Sequence, residues 1–126
     1  MLNLNSILFF SENPKQLADF YQKVLEKEHP DMEDQSGYYG FSAGQAFLSI
    51  GPHSEVKGHN PNPQRMMFNF ETTDVKGEFE RIKGLGAEVI AEPYQPGEME
   101  EEGSIATFAD PDGNYFQLMP PWEGEK

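Results

Sequence analysis

The chain has 126 residues, of which 13% are aromatic, and a formal net charge of −13. That charge excludes nucleic acid and anionic membranes as predicted partners, because both are bound through Lys and Arg side chains. The sequence contains no cysteine, which excludes disulfides, thiolate catalysis and zinc–sulfur sites.

The chain opens on MLNLNSILFF, in which residues 4–10 form an apolar run typical of a buried strand. This stretch lacks the basic region and the small-residue cleavage site of a signal peptide. Nowhere in the sequence does an apolar run reach the length of about 18 residues that a membrane span needs. We therefore predict a cytoplasmic protein.

A helix is predicted directly after this strand. Asn13 suits the N-cap, Pro14 the first helical position, and Gln16 the position that completes a capping box. Apolar residues then follow at helical spacing and form one stripe along the helix. They are Leu17, Phe20, Tyr21, Val24 and Leu25.

Two further strands complete the first half of the chain. Polar and turn-rich residues 29–37 lead into strands predicted over residues 38–42 and 46–50, which are joined around Gly44 as a hairpin. Residues 51–65 show no apolar periodicity and are rich in Pro and Gly, which is typical of a linker or long loop.

The same order of elements returns after the linker. A strand predicted over residues 66–71 precedes a helix that Thr73 or Asp74 caps. The helix ends at Gly86, and a strand follows over residues 88–91. The apolar face of this helix carries Val75, Phe79 and Ile82.

The C-terminal part is predicted to contain a loop and a hairpin. The acidic run over residues 98–102 is either a solvated loop or an electrostatic lid for a cationic ligand. Strands over residues 105–109 and 115–119 flank the turn DPDGN, where Gly113 supplies the positive φ that a hairpin turn needs. The two aspartates of this turn are predicted to hold it through hydrogen bonds from side chain to backbone.

Strand, helix and further strands thus occur twice, offset by about 60 residues, as a weak internal repeat. One half alone is too small to be stable, so we expect the two halves to pack together. We predict a single domain over residues 1–126, made of module 1 (about 1–52) and module 2 (about 64–122).

Three stretches carry a family resemblance: SILFFSENPKQLADFYQKVL, MFNFETTDVKGEFERIKGLGAEV and FADPDGNYFQL. They are similar to the strand–helix units and the closing hairpin of the vicinal oxygen chelate superfamily. This superfamily includes glyoxalase I, fosfomycin-resistance and bleomycin-resistance proteins, and extradiol dioxygenases. The resemblance implies an α+β fold, in which two βαβββ modules form an open, cup-shaped mixed β-sheet.

The resemblance also places the superfamily's four metal-ligand positions on this chain, at Ser6, Ser49, Met67 and Gln117. A divalent ion of this class prefers His nitrogen and carboxylate oxygen, and these four side chains offer neither. We therefore predict no metal and no other cofactor.

Strand alternation predicts which side chains face the cup and which meet the helices. The predicted ligand pocket consists of Ser6, Leu8, Ser49, Met67, Asn69, Tyr115, Gln117 and Met119. Phe10 shares their side of the first strand, whereas Phe68, Phe70, Phe116 and Leu118 are expected to meet the helices. A lining of apolar groups, amides and hydroxyls is typical of small-molecule pockets. The alternative is that these side chains fill the cup themselves.

These features together predict a metal-free small-molecule-binding protein of the glyoxalase/bleomycin-resistance type. Its ligand would be apolar, aromatic or cationic, and no residue is assigned a catalytic role. The alternative is a metal-dependent enzyme with atypical ligands, either a glyoxalase-like lyase or a dioxygenase, in which Glu71 and the histidines of the linker would bind the ion. A third possibility is a purely structural or partner-binding module.

A homodimer is expected, since the superfamily commonly pairs modules across chains and two-fold dimers are the commonest oligomers. Trp122, which follows the last predicted strand, would then either cover the rim of the cup or enter the dimer interface.

Overall fold

The fold was analysed in a computed structural model, which describes residues 1–94 and 104–121. The acidic run at 98–102 and Trp122 lie outside the described residues. The chain divides into two compact units, unit 1 (Met1–His59) and unit 2 (Asn60–Lys126).

Unit 1 contains one helix and a four-stranded mixed sheet with the strand order β1-β4-β3-β2. The first strand pairs in parallel with the last, and the other pairs are antiparallel. Its elements are β1 (Ser6–Ser11), α1 (Pro14–Val24), β2 (Met32–Glu33), β3 (Tyr39–Ala43) and β4 (Ala46–Pro52).

Unit 2 repeats this arrangement, with the strand order β5-β8-β7-β6 and a parallel pair between its first and last strands. Its elements are β5 (Phe68–Glu71), α2 (Val75–Gly84), β6 (Glu88–Tyr94), β7 (Ile105–Ala109) and β8 (Tyr115–Met119). Each unit is thus a βαβββ module with an open mixed sheet, which confirms the predicted α+β fold class.

The helix of unit 1 covers one face of its sheet. Tyr21 is fully buried, and its ring meets Phe9 of β1 edge to face, with ring centroids 5.7 Å apart. Phe41 of β3 and Leu48 of β4 are Cα partners and are also buried. Because side chains alternate along a strand, Ser6, Leu8 and Phe10 lie on the face that α1 does not cover.

The core of unit 2 is a column of phenylalanine rings. Phe79 of α2 stacks on Phe108 of β7 with a centroid distance of 5.2 Å, and Phe108 stacks on Phe116 of β8 at 5.6 Å. Phe68 and Phe70 of β5 both contact Phe116. These contacts confirm the prediction that Phe68, Phe70 and Phe116 lie on the helix side of the sheet.

Several predicted boundaries were wrong. Strand β1 begins at Ser6 and β5 at Phe68, two residues later than predicted in each case. The βαβββ resemblance implied a further strand between α1 and β3, but local pattern did not locate β2, since its two residues lie in a polar stretch and are held by pairing with β3. Strand β6 extends to Tyr94 despite a proline, which its position at the sheet edge and its irregular register permit.

The helix caps also differ from the prediction in one unit. Asn13 occupies the N-cap of α1, but no side chain caps this helix, so the predicted capping box with Gln16 was wrong. The buried Ser11 hydroxyl instead accepts a hydrogen bond from the Asn13 N–H at 2.9 Å. In unit 2, Asp74 rather than Thr73 is the N-cap, and its carboxylate accepts a hydrogen bond from the Gly77 N–H at 3.0 Å.

Within the described part of the chain, neither helix has the length and apolar character that crossing a bilayer requires.

Candidate functional site

Open face 1 is the side of the unit 1 sheet that α1 does not cover. Its centre is Ser49 of β4, whose Cα partners are Leu8 on β1 and Gly40 on β3. Along β4, the next residue on this face is Phe47, whose partners are Ser6 and Ser42. Three of the predicted pocket residues, Ser6, Leu8 and Ser49, therefore lie together on open face 1.

Two glycines allow aromatic rings to approach the backbone on this face. A Cβ atom added at Gly51 would lie only 2.4 to 2.7 Å from the Cε2, Cδ2 and Cζ atoms of Tyr38. A Cβ added at Gly40 would lie 2.5 and 2.6 Å from Cζ and Cε2 of Phe47. Since any other residue would displace these rings, the glycines set the positions of Tyr38 and Phe47.

Phe10 extends this group of rings along the face. Its ring lies at 82° to the ring of Tyr38, with a centroid distance of 6.5 Å. The imidazole of His53, the residue after β4, meets the Phe10 ring with a centroid distance of 5.0 Å. His53 was predicted to lie in the linker, and the structure places it against this aromatic group.

A short turn before β3 positions Tyr38. The Asp34 carboxylate accepts hydrogen bonds from the Ser36 hydroxyl at 2.7 Å and from the Tyr38 N–H at 3.1 Å. The Asp34 N–H in turn donates to the Tyr38 carbonyl at 3.0 Å. The hydrogen bond from Ser36, followed by that from the Tyr38 N–H, holds the pKa of Asp34 below its ordinary value.

Open face 2 is the side of the unit 2 sheet that α2 does not cover. Gln117 of β8 lies at its centre, between its Cα partners Asn69 on β5 and Thr107 on β7. The Gln117 Nε2 donates a hydrogen bond to the Thr107 Oγ1 at 3.1 Å, and Thr107 is 5% exposed. The centre of open face 2 is therefore a row of neutral polar side chains.

Apolar residues lie on both sides of this row. Met119 has Glu71 as its partner on β5, and Tyr115 has Ala109 as its partner on β7. Met67 immediately precedes β5 and is 42% exposed. Open face 2 thus brings together the predicted residues Asn69, Tyr115, Gln117 and Met119, and their role as a ligand pocket stays a prediction.

Several residues of the two open faces were not predicted from the sequence. They are Tyr38, Gly40, Phe47 and Gly51 in unit 1 and Thr107 in unit 2. The alternation of side chains along residues 38–42 and 46–50 is a signal that could have found Tyr38, Gly40 and Phe47, and its continuation by one residue reaches Gly51. Thr107 follows from the same alternation, but only the strand register reveals that it is the partner of Gln117.

A shallow groove of about 560 Å³ also occurs in unit 1, at the N-terminal end of α1. Residues 12–16 line one side of it, and Gly37 and Tyr39 line the other. Since Tyr39 has the strand parity of the buried Phe41, this groove is separate from open face 1. No predicted pocket residue lines it.

The sequence matches the family described as a glyoxalase-like domain over residues 6–119, nearly the whole chain. The chain belongs to this glyoxalase-like family. No match was found among curated proteins.

Solved structures share the fold of this glyoxalase-like chain at low sequence identity. The fosfomycin resistance protein FosX from Listeria monocytogenes has a TM-score of 0.75 and 21% identity, with 99% of this chain and 98% of that chain covered. A glyoxalase-related enzyme from Fulvimarina pelagi has a TM-score of 0.75 and 16% identity, with 96% and 89% covered. A glyoxalase/bleomycin resistance protein/dioxygenase family enzyme from Burkholderia phytofirmans PsJN has a TM-score of 0.71 and 19% identity, with 93% and 97% covered.

A mutant of the Listeria protein was crystallised with Mn(II) and 1S,2S-dihydroxypropylphosphonic acid. The family resemblance predicts that the superfamily's metal-ligand positions fall on Ser6, Ser49, Met67 and Gln117 of this chain. Two hydroxyls, a thioether and an amide do not fit a divalent ion that prefers imidazole and carboxylate ligands.

Glu71 and the linker histidines are the ligands predicted for a metal-dependent enzyme. Glu71 is the partner of Met119 on open face 2, and the ring of His53 contacts Phe10. Among residues 1–94 and 104–121, no three His, Asp or Glu side chains come together as a potential metal site.

Proposed function

We propose that this glyoxalase-like protein binds a small organic molecule without a metal ion, against the open faces of its sheets. The observation that carries this proposal is the neutral centre of each face, Ser49 in unit 1 and Gln117 in unit 2. Both are positions at which the family resemblance predicts metal ligands, and the Gln117 amide hydrogen-bonds Thr107. The ligand is apolar, aromatic or cationic.

The residues around these centres support binding by contact area and stacking. Leu8 is 52% exposed and Met67 is 42% exposed, so each has apolar surface that a ligand can cover. Covering apolar surface contributes about 25 cal/mol per Å², and the aromatic rings of open face 1 add stacking. A mainly apolar lining with a few polar groups is the usual composition of a small-molecule site.

The acidic composition favours cations over anions among possible ligands. A formal net charge of −13 raises the local concentration of cations at the surface and repels anions. The phosphonate ligand of the Listeria complex is therefore a poor guide to the ligand of this protein.

Metal analysis is the decisive experiment. The protein would be purified, incubated with Mn(II), Ni(II), Zn(II) or Fe(II), desalted, and measured by inductively coupled plasma mass spectrometry. We expect far less than one ion per chain. The double variant Met67→His/Gln117→Glu, which restores preferred ligand types at two positions, should retain more Zn(II) than the wild type. One ion per wild-type chain, lost on Gln117→Ala, would contradict the proposal.

Small-molecule binding is tested by a second experiment, separate from the metal analysis. A thermal-shift screen of chemically diverse small molecules, followed by calorimetric titration of the hits, should yield compounds whose affinity falls with Leu8→Ala or Gln117→Ala. A screen with no hits over a wide chemical range would favour a module that binds only a protein partner.

We also propose that the protein is a homodimer. Leu2 and Leu4, ahead of β1, are 98% and 87% exposed, and burying such side chains against a second copy would be favourable. Sedimentation velocity at micromolar concentration should show a dimer, and the double variant Leu2→Ser/Leu4→Ser should weaken it. A monomer at every concentration tested would refute this proposal.

A further inference from the structure

We propose that open face 1 holds a flat aromatic cation, stacked on the Tyr38 ring and bordered by the Phe10 ring. This inference rests on the proposed function and narrows its ligand class.

The first step is the orientation of Tyr38. Three atoms on one side of its ring, Cδ2, Cε2 and Cζ, lie at nearly equal distances of 2.4 to 2.7 Å from the Cβ position of Gly51. A ring that met Gly51 with its edge would place only one or two atoms so close. The ring of Tyr38 therefore lies flat on the strand, with one face against Gly51 and the other face turned away from the sheet.

Phe47 provides an internal contrast to this arrangement. Only Cζ and Cε2 of its ring lie within 3 Å of the Cβ position of Gly40, and the next nearest atom belongs to Met32. Phe47 thus meets Gly40 with its ring edge. Of the two rings that approach a glycine on open face 1, Tyr38 is the one that offers a flat surface for stacking.

The second step is the position of Phe10. Its Cα partner on β4 is Gly51, so Phe10 stands beside the glycine on which Tyr38 lies. The two ring planes meet at 82°. Tyr38 and Phe10 therefore form a corner, in which a flat ring can stack on Tyr38 with its edge directed at Phe10. Offset stacking and edge-to-face contact are the two arrangements that aromatic rings prefer.

The electrostatic character of open face 1 bears on the charge of its ligand. The faces of Tyr and Phe rings carry negative potential and attract cations. Open face 1 contains no Lys or Arg among Ser6, Leu8, Phe10, Gly40, Ser42, Phe47, Ser49 and Gly51. The Asp34 carboxylate accepts a hydrogen bond from the backbone N–H of Tyr38, which places a negative charge at the backbone of the residue that bears the stacking ring. These features favour a cation over a neutral ring of the same size.

The test compares three probes by NMR titration of the full-length protein: 1-methylquinolinium, which is flat and cationic, quinoline, which is flat and neutral, and N-methylquinuclidinium, which is cationic and globular. We expect 1-methylquinolinium to bind about two- to fivefold more tightly than quinoline, as a partly exposed cation–π contact allows. Its ring protons should shift upfield, and the amides of Phe10, Tyr38 and Gly51 should respond. N-methylquinuclidinium should bind more weakly than 1-methylquinolinium.

Three variants localise the effect. Tyr38→Leu removes the flat ring and should abolish the preference for 1-methylquinolinium. Gly51→Ala displaces the ring and should weaken binding of 1-methylquinolinium. Gly84→Ala is the matched control, because a Cβ at Gly84 meets no atom within 4 Å, and it should bind like the wild type. If Gly51→Ala fails to fold, Phe10→Leu tests the border of the corner in its place.

The outcomes separate this inference from the proposed function. Equal or tighter binding of quinoline, or a response confined to residues outside open face 1, would overturn the flat-cation inference and leave small-molecule binding standing. If neither the three probes nor any compound of the wider screen bound, the proposed function itself would fail.

Discussion

Units 1 and 2 share one topology but present different open faces. Leu8 and Asn69 each precede the N-cap of the helix, Asn13 or Asp74, by five residues. The partner of Leu8 on the last strand is Ser49, and the partner of Asn69 is Gln117. A small hydroxyl within an aromatic surface in unit 1 thus corresponds to a hydrogen-bonded amide in unit 2.

The helix-side faces differ much less. By the same register, Phe41 of unit 1 corresponds to Phe108 of unit 2, and Leu48 corresponds to Phe116. All four side chains are apolar and at most 2% exposed. The covered faces of the two units thus share large apolar side chains that pack under the helix, while the open faces differ in chemical character.

The largest predicted effect concerns this pair of corresponding phenylalanines. Phe108→Ala removes a ring that stacks on both Phe79 and Phe116, and we expect it to lower the free energy of unfolding by about 3–5 kcal/mol. Phe41→Ala should cost less, since the partner of Phe41 is Leu48 and each aromatic pair adds about 0.5–1.5 kcal/mol beyond the buried area. Urea denaturation followed by circular dichroism measures both.

Phe108→Leu is the control for this experiment, because it keeps apolar volume and removes the stacking. It should lie between the wild type and Phe108→Ala. A larger loss for Phe41→Ala than for Phe108→Ala would show that the ring column of unit 2 is not its main source of stability.

The next effect concerns the turn between β7 and β8. The Asp110 side chain is buried, and its Oδ1 accepts hydrogen bonds from the Asp112 N–H at 2.9 Å and the Asn114 N–H at 3.0 Å. Asp110→Ala leaves these donors without their acceptor, and we expect a loss of about 2–3 kcal/mol. Thermal unfolding of Asp110→Ala and of the control Asp110→Asn, which keeps an acceptor oxygen, measures it. Equal stability of Asp110→Ala and the wild type would refute this role.

A smaller loss of stability is expected from substitutions at the N-caps of the two helices. Asp74→Ala removes the side-chain cap of α2 and should cost about 1 kcal/mol, whereas Asn13→Ala removes no cap hydrogen bond from α1 and should cost less. Asp74→Asn is the control that keeps an acceptor. Urea denaturation of the three variants checks the order, and a greater loss for Asn13→Ala would contradict it.

Much of the fold could be predicted because it follows from local patterns. The apolar alternation of β5 correctly placed Phe68 and Phe70 on the helix side, and the turn DPDGN correctly placed Asp110 and Gly113. The residues of strand β2 could not be located from the sequence pattern, since the strand is held by its register with β3 and not by its own composition. The predicted strand ended at residue 91, whereas β6 continues through a proline to Tyr94. Proline is excluded from strands that have neighbours on both sides, but β6 is an edge strand and tolerates it.

The candidate site also contains residues that local patterns predict and contacts that they do not. Alternation along β1 and β8 correctly grouped Ser6 with Leu8, and Tyr115 with Gln117 and Met119. The contact of the flat Tyr38 ring with Gly51 and the hydrogen bond from Gln117 to Thr107 could not be predicted from the sequence. Both contacts join neighbouring strands, and only the register decides which residues meet.

The smallest predicted effect is the pH response of the turn that holds Tyr38. Hydrogen bonds from Ser36 and Tyr38 lower the pKa of Asp34 below its ordinary value of 3.8. A carboxylate whose pKa is lowered by folding stabilises the folded state above its ordinary pKa, and this stabilisation is lost as the pH falls through the lowered pKa. We therefore expect the amide resonance of Tyr38 to stay constant from pH 7 to about 4 and to shift below that range.

Asp34→Asn is the matched control, because it keeps an acceptor oxygen for the turn but cannot titrate. Its Tyr38 amide should show little change over the same pH range. Asp31 of unit 1 also has a lowered pKa, because Lys27 and the Ser42 N–H hydrogen-bond it, so a global unfolding signal would mix the two aspartates and the readout must be local. If the Tyr38 amide of Asp34→Asn shifted as in the wild type, a different group would control the turn, and Asp34 would not be what positions the stacking ring of open face 1.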